Sequence, residues 1–199
     1  MFLPNVCLRI TEEQVSQTQT RLTAEDLLRL PTGNGKRYEL LDGELIEMAA
    51  AGYRHGKDAL RIGAIIRNFV VSHHLGDVVA AETGFTLRRN PDHVRAPDVA
   101  FIAAGRLPPG PDPVGFAEIA PDFVVEVVSP GDTATEIQER IDDWLRAGVK
   151  VVWAAYSVLK AVVVWRGVGN AERRAGDEEI DAEPAIPGFR CKVSDLFED

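Results

Sequence analysis

The chain has 199 residues, 45% of them hydrophobic, which suits one domain with a substantial core. A formal net charge of −9 and a pI near 5.0 argue against a protein that holds nucleic acid through an overall surplus of Lys and Arg. The two cysteines lack metal-site spacing, and no apolar run reaches the roughly 18 residues of a spanning helix. We therefore expect a soluble, cytoplasmic protein that does not enter a membrane.

The N-terminal segment is polar and aperiodic. Residues 1–20 are rich in Gln, Thr and Glu, so we expect a flexible arm followed by a single domain over residues 21–199. Thr23 and Asp26 have the spacing of a capping box, which predicts a short helix that ends at Leu30.

The next elements are predicted from turn chemistry and from hydrophobic periodicity. The pair Asp42-Gly43 predicts a two-residue turn between two strands, the first of which carries Glu39. Apolar residues at helical spacing predict a long amphipathic helix over residues 53–72. Runs rich in β-branched residues then predict three strands, at 78–89, 98–103 and 122–129.

The second half of the chain alternates helix and strand. A capping box at Thr133 predicts a helix to Ala147, which Gly148 closes. The segments VKVVWAAY and AVVVWRG predict a hairpin of buried strands, and a polar stretch leads from there to a short C-terminal segment. This order predicts an α/β fold with a mixed β-sheet, one face of which is covered by the helix at 133–147.

Two acidic residues stand next to or within apolar strands. Asp98 begins a strand after Pro97, and the simpler interpretation of such an Asp is a turn or cap residue. Glu126 lies inside VVEVV, where both faces of the strand are apolar, so its carboxylate is expected inside the protein. The simpler interpretation of Glu126 is a buried structural ion pair.

The helix that follows supplies a partner for Glu126. Arg140 falls within the apolar stripe of that helix, whereas most of its other charged residues, Asp143 among them, fall on the remaining faces. Two carboxylates on neighbouring strands together with a guanidinium are suited to Mg²⁺ or Mn²⁺ and to a phosphate group.

Four segments, in order, resemble the Uma-two family, a branch of the PD-(D/E)XK nuclease superfamily. They are RYELLDGELIEM, RAPDVAFI, PDFVVEVVSPGDTATEIQERIDDWLRAGV and VVWAAY, and the likeness covers about residues 23–197. The resemblance implies a restriction-endonuclease-like α/β core with a mixed sheet flanked by helices. It also implies that Asp98 and Glu126 are ligands of Mg²⁺ or Mn²⁺, with the backbone carbonyl of Val127 as a further ligand, and that Glu39 orients water or a second ion.

The sequence departs from the superfamily pattern at the lysine. That pattern places Lys two residues after the motif Glu, where this chain has Val128, and the family resemblance shifts the cation to Arg140. Because Arg does not shed its proton, Arg140 is expected to stabilise phosphate charge and not to act as a general base. His55 corresponds to a histidine common after the hairpin, or else starts a surface helix, and Tyr156 stands where the family commonly has Asp.

The leading functional hypothesis is metal-dependent hydrolysis of nucleic acid, expected to be DNA, and the family resemblance implies a homodimer. Asp98, Glu126, Arg140 and Glu39 would form the catalytic site. A local basic rim would offset the acidic pI, and solvated surface charge is the simpler interpretation of its residues, which are Arg54, Lys57, Arg61, Arg88, Arg89 and Arg95.

Two alternatives compete with it. A protein that has kept the fold as a binding or scaffold module would use Glu126 and Arg140 only as an ion pair. A glycosidase has little support, because the three tryptophans, Trp144, Trp153 and Trp165, fall in apolar periodic segments that favour the core.

Overall fold

The computed structural model describes residues 21–31 and 36–197. The predicted arm of residues 1–20 lies outside the described residues. The helices are α1 (Ala24–Leu28), α2 (Tyr53–Ser72) and α3 (Ala134–Arg146), and a 3₁₀ helix spans Val193–Leu196. The strands are β1 (Arg37–Leu41), β2 (Glu44–Met48), β3 (Gly76–Ala80), β4 (Phe85–Arg88), β5 (His93–Arg95), β6 (Val99–Ala103), β7 (Phe123–Val128), β8 (Val151–Tyr156), β9 (Ala161–Trp165), β10 (Ala171–Ala175), β11 (Glu179–Asp181) and β12 (Arg190–Lys192).

A six-stranded mixed sheet forms the centre of the fold. Its strand order is β10-β9-β8-β7-β6-β3, with β7 and β8 parallel and the other neighbours antiparallel. A smaller antiparallel sheet of order β2-β1-β5-β4 lies beside it, and β11 pairs with β12. The mixed α/β sheet predicted from the sequence is confirmed.

Helices cover both faces of the central sheet. Residues Ile141 and Trp144 of α3 pack on the face that includes Val124, as expected for the helix at 133–147. The other face packs against the Ile62–Ile66–Val70 stripe of α2 and against the C-terminal segment. Alternate residues of β7 point to opposite faces of the sheet. Glu126 is on the same face as Val124 and therefore points toward α3.

Local signals fix the ends of the helices. Thr23 and Thr133 both form the reciprocal hydrogen bonds of a capping box, with Asp26 and Glu136 respectively. Gly148, with φ of +96°, follows α3 in the left-handed region that favours glycine. The turn at Asp42 and Gly43 has positive φ at both residues, as the prediction of a two-residue hairpin required.

Three predictions of secondary structure were wrong or incomplete. The strand predicted at 78–89 is two strands in different sheets, because the chain turns at residues 81–84. The short strand β5 was not predicted, and the polar stretch after β9 forms β10 and β11. Helix α1 ends at Leu28, two residues before the predicted end.

Within residues 21–31 and 36–197, the helices include none that is both long enough and apolar enough to cross a membrane.

Candidate active site

The site lies where β6 begins and β7 ends. These strands are antiparallel, with Val99 opposite Val125, so the register continued by one residue places Asp98 opposite Glu126. Glu126 is only 7% exposed, which confirms the expectation of an inward-facing carboxylate. Asp98 is half-buried and accepts a hydrogen bond from the Val127 backbone N–H at 2.7 Å, which joins the two strands beyond their regular ladder.

Glu126 has two partners on α3. Trp144 Nε1–H donates to Glu126 Oε1 at 2.6 Å, and Arg140 Nε lies 3.6 Å from Glu126 Oε2. Burial raises the pKa of Glu126 to about 7, although the positive charge of Arg140 opposes the rise and the nearby Asp98 adds to it. A single long ion pair thus leaves the charge of this buried carboxylate only partly compensated.

Arg140 bridges two carboxylates. Its Nη2 donates to Glu39 Oε1 at 3.2 Å, while its Nε faces Glu126. The charge of Glu126 raises the pKa of Arg140 above the usual arginine value, so the guanidinium stays protonated. Arg140 Nε is buried and donates no hydrogen bond to any residue that the structure describes.

Glu39 is fully engaged by protein donors. It is 2% exposed, and its oxygens accept from Arg95 Nη1 at 2.7 Å and from the Ala96 backbone N–H at 3.0 Å, in addition to Arg140. The structure places Glu39 next to Arg140. Its contacts make it an anchor for two arginines, and the role in orienting water or a second ion stays a prediction.

Behind Glu39 lies a charge network that was missed in the sequence. Arg95 donates through Nε and Nη2 to Asp143 Oδ2 at 3.0 and 2.5 Å, and His93 Nε2 lies 3.1 Å from the same oxygen. Burial would raise the pKa of Asp143, but the hydrogen bonds from His93 and Arg95 outweigh it and hold that pKa below its usual value. Two signals pointed to this network: Arg95 belongs to the RAPD segment, and Asp143 follows Arg140 by about one helical turn.

The predicted basic rim is not present in the form expected. Arg95 touches the wall of the cleft, but it is 5% exposed and its guanidinium is bound in the network, so it adds little to an accessible basic rim. Arg89 is tied to Glu25, Asp92 and Glu118. Arg54 is exposed and does line the cleft in front of the two carboxylates.

His55 belongs to the site. It lies in the first turn of α2, where Nε2 is 2.8 Å from Asp98 Oδ1 and Nδ1 is 3.0 Å from Ser129 Oγ. The hydrogen bond to Asp98 raises the pKa of His55 above its usual value. Residues 53–55 do start a helix, and Tyr53 is exposed, but the His55 side chain is largely buried and ties the start of α2 to Asp98 before β6 and to Ser129 after β7.

A cleft of about 910 Å³ opens over these residues, with Asp98, Glu126, Val127 and Arg140 in its wall. Its lining includes four arginines and eight carboxylates, a formal balance of −4. Within the described parts of the chain no cluster of three or more His, Cys, Asp or Glu side chains is arranged to hold a metal ion. A cation here would thus take two side-chain carboxylates and complete its shell with backbone oxygen or water.

The positions that depart from the superfamily pattern lie at the strand ends. Val128 is the last residue of β7 and pairs with Tyr156, the last residue of β8. Both are partly buried and pack on the α3 side of the sheet. Trp144 and Trp153 are fully buried and Trp165 partly so, which confirms that the tryptophans belong to the core.

Comparison with known proteins agrees with this architecture. The fold is similar to the crystal structure of a putative nuclease belonging to DUF820 from Anabaena variabilis ATCC 29413, with a TM-score of 0.74 and 21% identity over 88% of this chain and 97% of that chain. A search of curated proteins found no match. A model of the Uma2 family, described as putative restriction endonuclease, matches residues 24–194. Because that match spans most of the sequence, the chain belongs to the Uma2 family.

Proposed function

We propose that this protein is a metal-dependent nuclease that hydrolyses phosphodiester bonds of nucleic acid at the Asp98–Glu126 site. The observation that carries the proposal is the pairing of these two carboxylates across β6 and β7, with Arg140 beside them in one cleft. The family, described as putative restriction endonuclease, and the fold shared with the putative nuclease from Anabaena variabilis support the same activity class.

The residues present fit a divalent cation. Glu126 is buried with too little positive charge around it, and burial raises its pKa to about 7. A cation between Glu126 and Asp98, with the Val127 carbonyl as a further oxygen ligand, would compensate both carboxylates. Mg²⁺ and Mn²⁺ accept one or two protein carboxylates and keep several waters. When bound, such an ion lowers the pKa of a water and polarises a phosphoryl oxygen.

Arg140 stabilises phosphate charge in this proposal. It remains protonated beside Glu126, so it serves as an electrostatic partner for the oxygens of the transferring phosphoryl group and not as a proton acceptor. Glu39 accepts a hydrogen bond from the guanidinium, and Arg95 in turn donates to Glu39 and holds it in place. His55 holds Asp98 in a fixed orientation through their 2.8 Å contact.

The charge of the cleft sets an order of binding. With eight carboxylates against four arginines, the empty cleft repels a polyanion, so a divalent cation should bind before nucleic acid. This order also reconciles a net charge of −9 with a nucleic-acid substrate.

The direct test is cleavage of DNA and RNA by the purified protein with Mg²⁺ or Mn²⁺. We expect Asp98→Asn to lower the rate by about a hundredfold or more, in line with the loss of an essential charge-stabilising group. Asp77→Asn, an exposed carboxylate on β3, is the control and should leave the rate unchanged. Arg140→Lys should retain measurable activity because it keeps the positive charge. Absence of cleavage on every substrate and with either ion would contradict the proposal.

A binding or scaffold role is the second candidate, because Arg140 occupies the lysine role and already pairs with Glu126 and Glu39. In that case the thermal unfolding temperature would not respond to Mg²⁺ or Mn²⁺. Binding of an ion to the native site must raise that temperature, so calorimetry with and without the ion separates the two candidates.

A further inference from the structure

A second depression adjoins the cleft. It is a groove of about 350 Å³ between α2 and the edge strand β3, and it shares His55 and Asp98 with the larger cleft. Its walls are mostly aliphatic, with Ala59, Leu60 and Ala64 on the α2 side. The groove therefore opens directly beside the proposed catalytic carboxylates.

The charge of the groove is opposite in sign to that of the cleft. Arg37 and Arg67 border it, and Asp98 is its one acidic lining residue among the described parts of the chain. The formal balance is +1 with His55 neutral, compared with −4 in the cleft. A ligand with an apolar body and an anionic group suits these walls, because the body would be buried and the anion would face an arginine.

The shape of α2 leaves room for a flat ligand. A Cβ added at Gly56 would meet no atom within 4 Å, so the groove stays open at that position. At Gly63 an added Cβ would lie 3.3 Å from Val99 Cγ2, so this glycine brings the helix close to β6 and forms a flat wall. The volume lies near the lower end of the roughly 300–1,000 Å³ typical of small-molecule sites.

We propose that this groove receives one nucleotide of the substrate strand next to the bond that is cut, with the base between α2 and β3 and a phosphate facing Arg67 or Arg37. Among the residues that the structure describes, the groove is lined by no Phe, Tyr or Trp, so the base is held mainly by burial between aliphatic surfaces. The inference rests on the proposed nuclease function.

The test is binding of a mononucleotide to the full chain without metal. We expect dAMP to shift the amide NMR signals of residues in α2 and β3, whereas deoxyribose 5-phosphate, which lacks the base, should shift them little. Ala64→Phe places a ring in the groove and should weaken dAMP binding about tenfold. Asn68→Phe adds the same ring to an exposed position of α2 outside the groove and should leave binding within about twofold.

Three results would overturn the proposal. One is dAMP binding that Ala64→Phe does not change. Another is a dAMP response confined to residues around Arg140. The third is an Ala64→Phe variant that alters only the oligomeric state, which would assign the groove to a second copy of the chain at the edge of β3.

The outcome is separable from the nuclease activity. Binding of dAMP requires neither metal nor cleavage, so it can succeed in a protein that cuts nothing. Conversely, each nucleotide near the cut can be replaced in turn by an abasic one. If the enzyme cuts all of these oligonucleotides equally well, the nuclease function holds and the proposal of a base-binding groove is rejected.

Discussion

Glu126 is a carboxylate held where its charge is disfavoured. Its folded-state pKa is raised from about 4.5 to about 7, so the native state binds its proton more tightly than the unfolded chain does. The contribution to stability is fully present below pH 4.5 and is lost as the pH rises through 7. Asp122, just before the same strand, shows the opposite shift: burial would raise its pKa, but hydrogen bonds from Lys150 and the Ala103 N–H hold it below its usual value.

Replacing each carboxylate by its amide should separate these two effects. Between pH 5 and 8, the free energy of unfolding of the metal-free protein should fall by up to about 3 kcal/mol, and Glu126→Gln should flatten this fall. Asp122→Asn should lower the free energy of unfolding by an amount that is nearly constant between pH 5 and 8. The decrease of stability with rising pH should therefore remain in this variant. Urea denaturation at several pH values measures both. A pH profile that Glu126→Gln leaves unchanged would contradict the raised pKa.

The residues of the site differed in how visible they were in the sequence. Glu126 is a charge inside an apolar strand, and Arg140 is a charge inside an apolar helical stripe. Local periodicity was therefore sufficient to predict that both side chains point into the protein. Arg95 and Glu39 gain their roles from the packing of the small sheet against α3, which brings residues about 50 to 100 positions apart into contact. The RAPD segment and the one-turn spacing of Asp143 from Arg140 were only weak signals, because the contacts themselves join residues that are far apart in the sequence.

At the level of elements, α2 combines two glycines with different surroundings. Gly56 faces open space, whereas Gly63 faces the side chain of Val99 on β6. The close approach at Gly63 fixes the distance between α2 and the sheet, and thereby helps to place His55 against Asp98.

Substitutions at these two glycines should have opposite effects. Gly56→Ala should stabilise the protein by up to about 1 kcal/mol through higher helix propensity. Gly63→Leu should destabilise it by about 1–3 kcal/mol, because the added atoms overpack the contact with Val99. Chemical denaturation of both variants provides the measurement. Equal gains in stability at the two positions would mean that α2 does not pack closely on β6.

The break between β3 and β4 shows why one element could not be predicted. The segment reads as a continuous strand, yet the chain turns at Glu82, which has φ of +74°, and at Gly84. A Cβ at Gly84 would lie 2.3 Å from the ring of Phe116, so this turn depends on a residue some thirty positions away. The capping boxes of α1 and α3, by contrast, are local and were readable directly.

At the scale of the molecule, the C-terminal segment completes the core beneath α2. Phe189 is buried, its ring makes an edge contact with Phe69 of α2 at 5.3 Å, and Arg61 Nε donates to the Asp195 carbonyl at 2.6 Å. Ile186 and Leu196 belong to the same core cluster. The segment therefore supports the helix that carries His55, although it lies far from the site in sequence.

Truncation of this ring should be costly. Phe189→Ala should lower the free energy of unfolding by about 3–5 kcal/mol, because it removes a buried ring and leaves a cavity. Leu159→Ala, at a position that is 62% exposed, is the control and should change stability by less than about 0.5 kcal/mol. Thermal unfolding of the two variants and of the unchanged protein measures both stability changes. If Phe189→Ala were as mild as the control, the C-terminal segment would not be part of the core.

The homodimer implied by the family resemblance stays a prediction, and sedimentation of the purified protein would check it.

The dependence of α2 on residues 180–197 also has a consequence for synthesis. A ribosome releases the chain from its N-terminus, so α2 and the strands that carry Asp98 and Glu126 emerge before the segment that packs against them. The apolar stripe of α2 lacks these packing contacts until residues 180–197 have emerged, and we expect the contact of His55 with Asp98 to become stable only then. A nascent chain would accordingly acquire its assembled site late, after nearly all of the domain has left the ribosome.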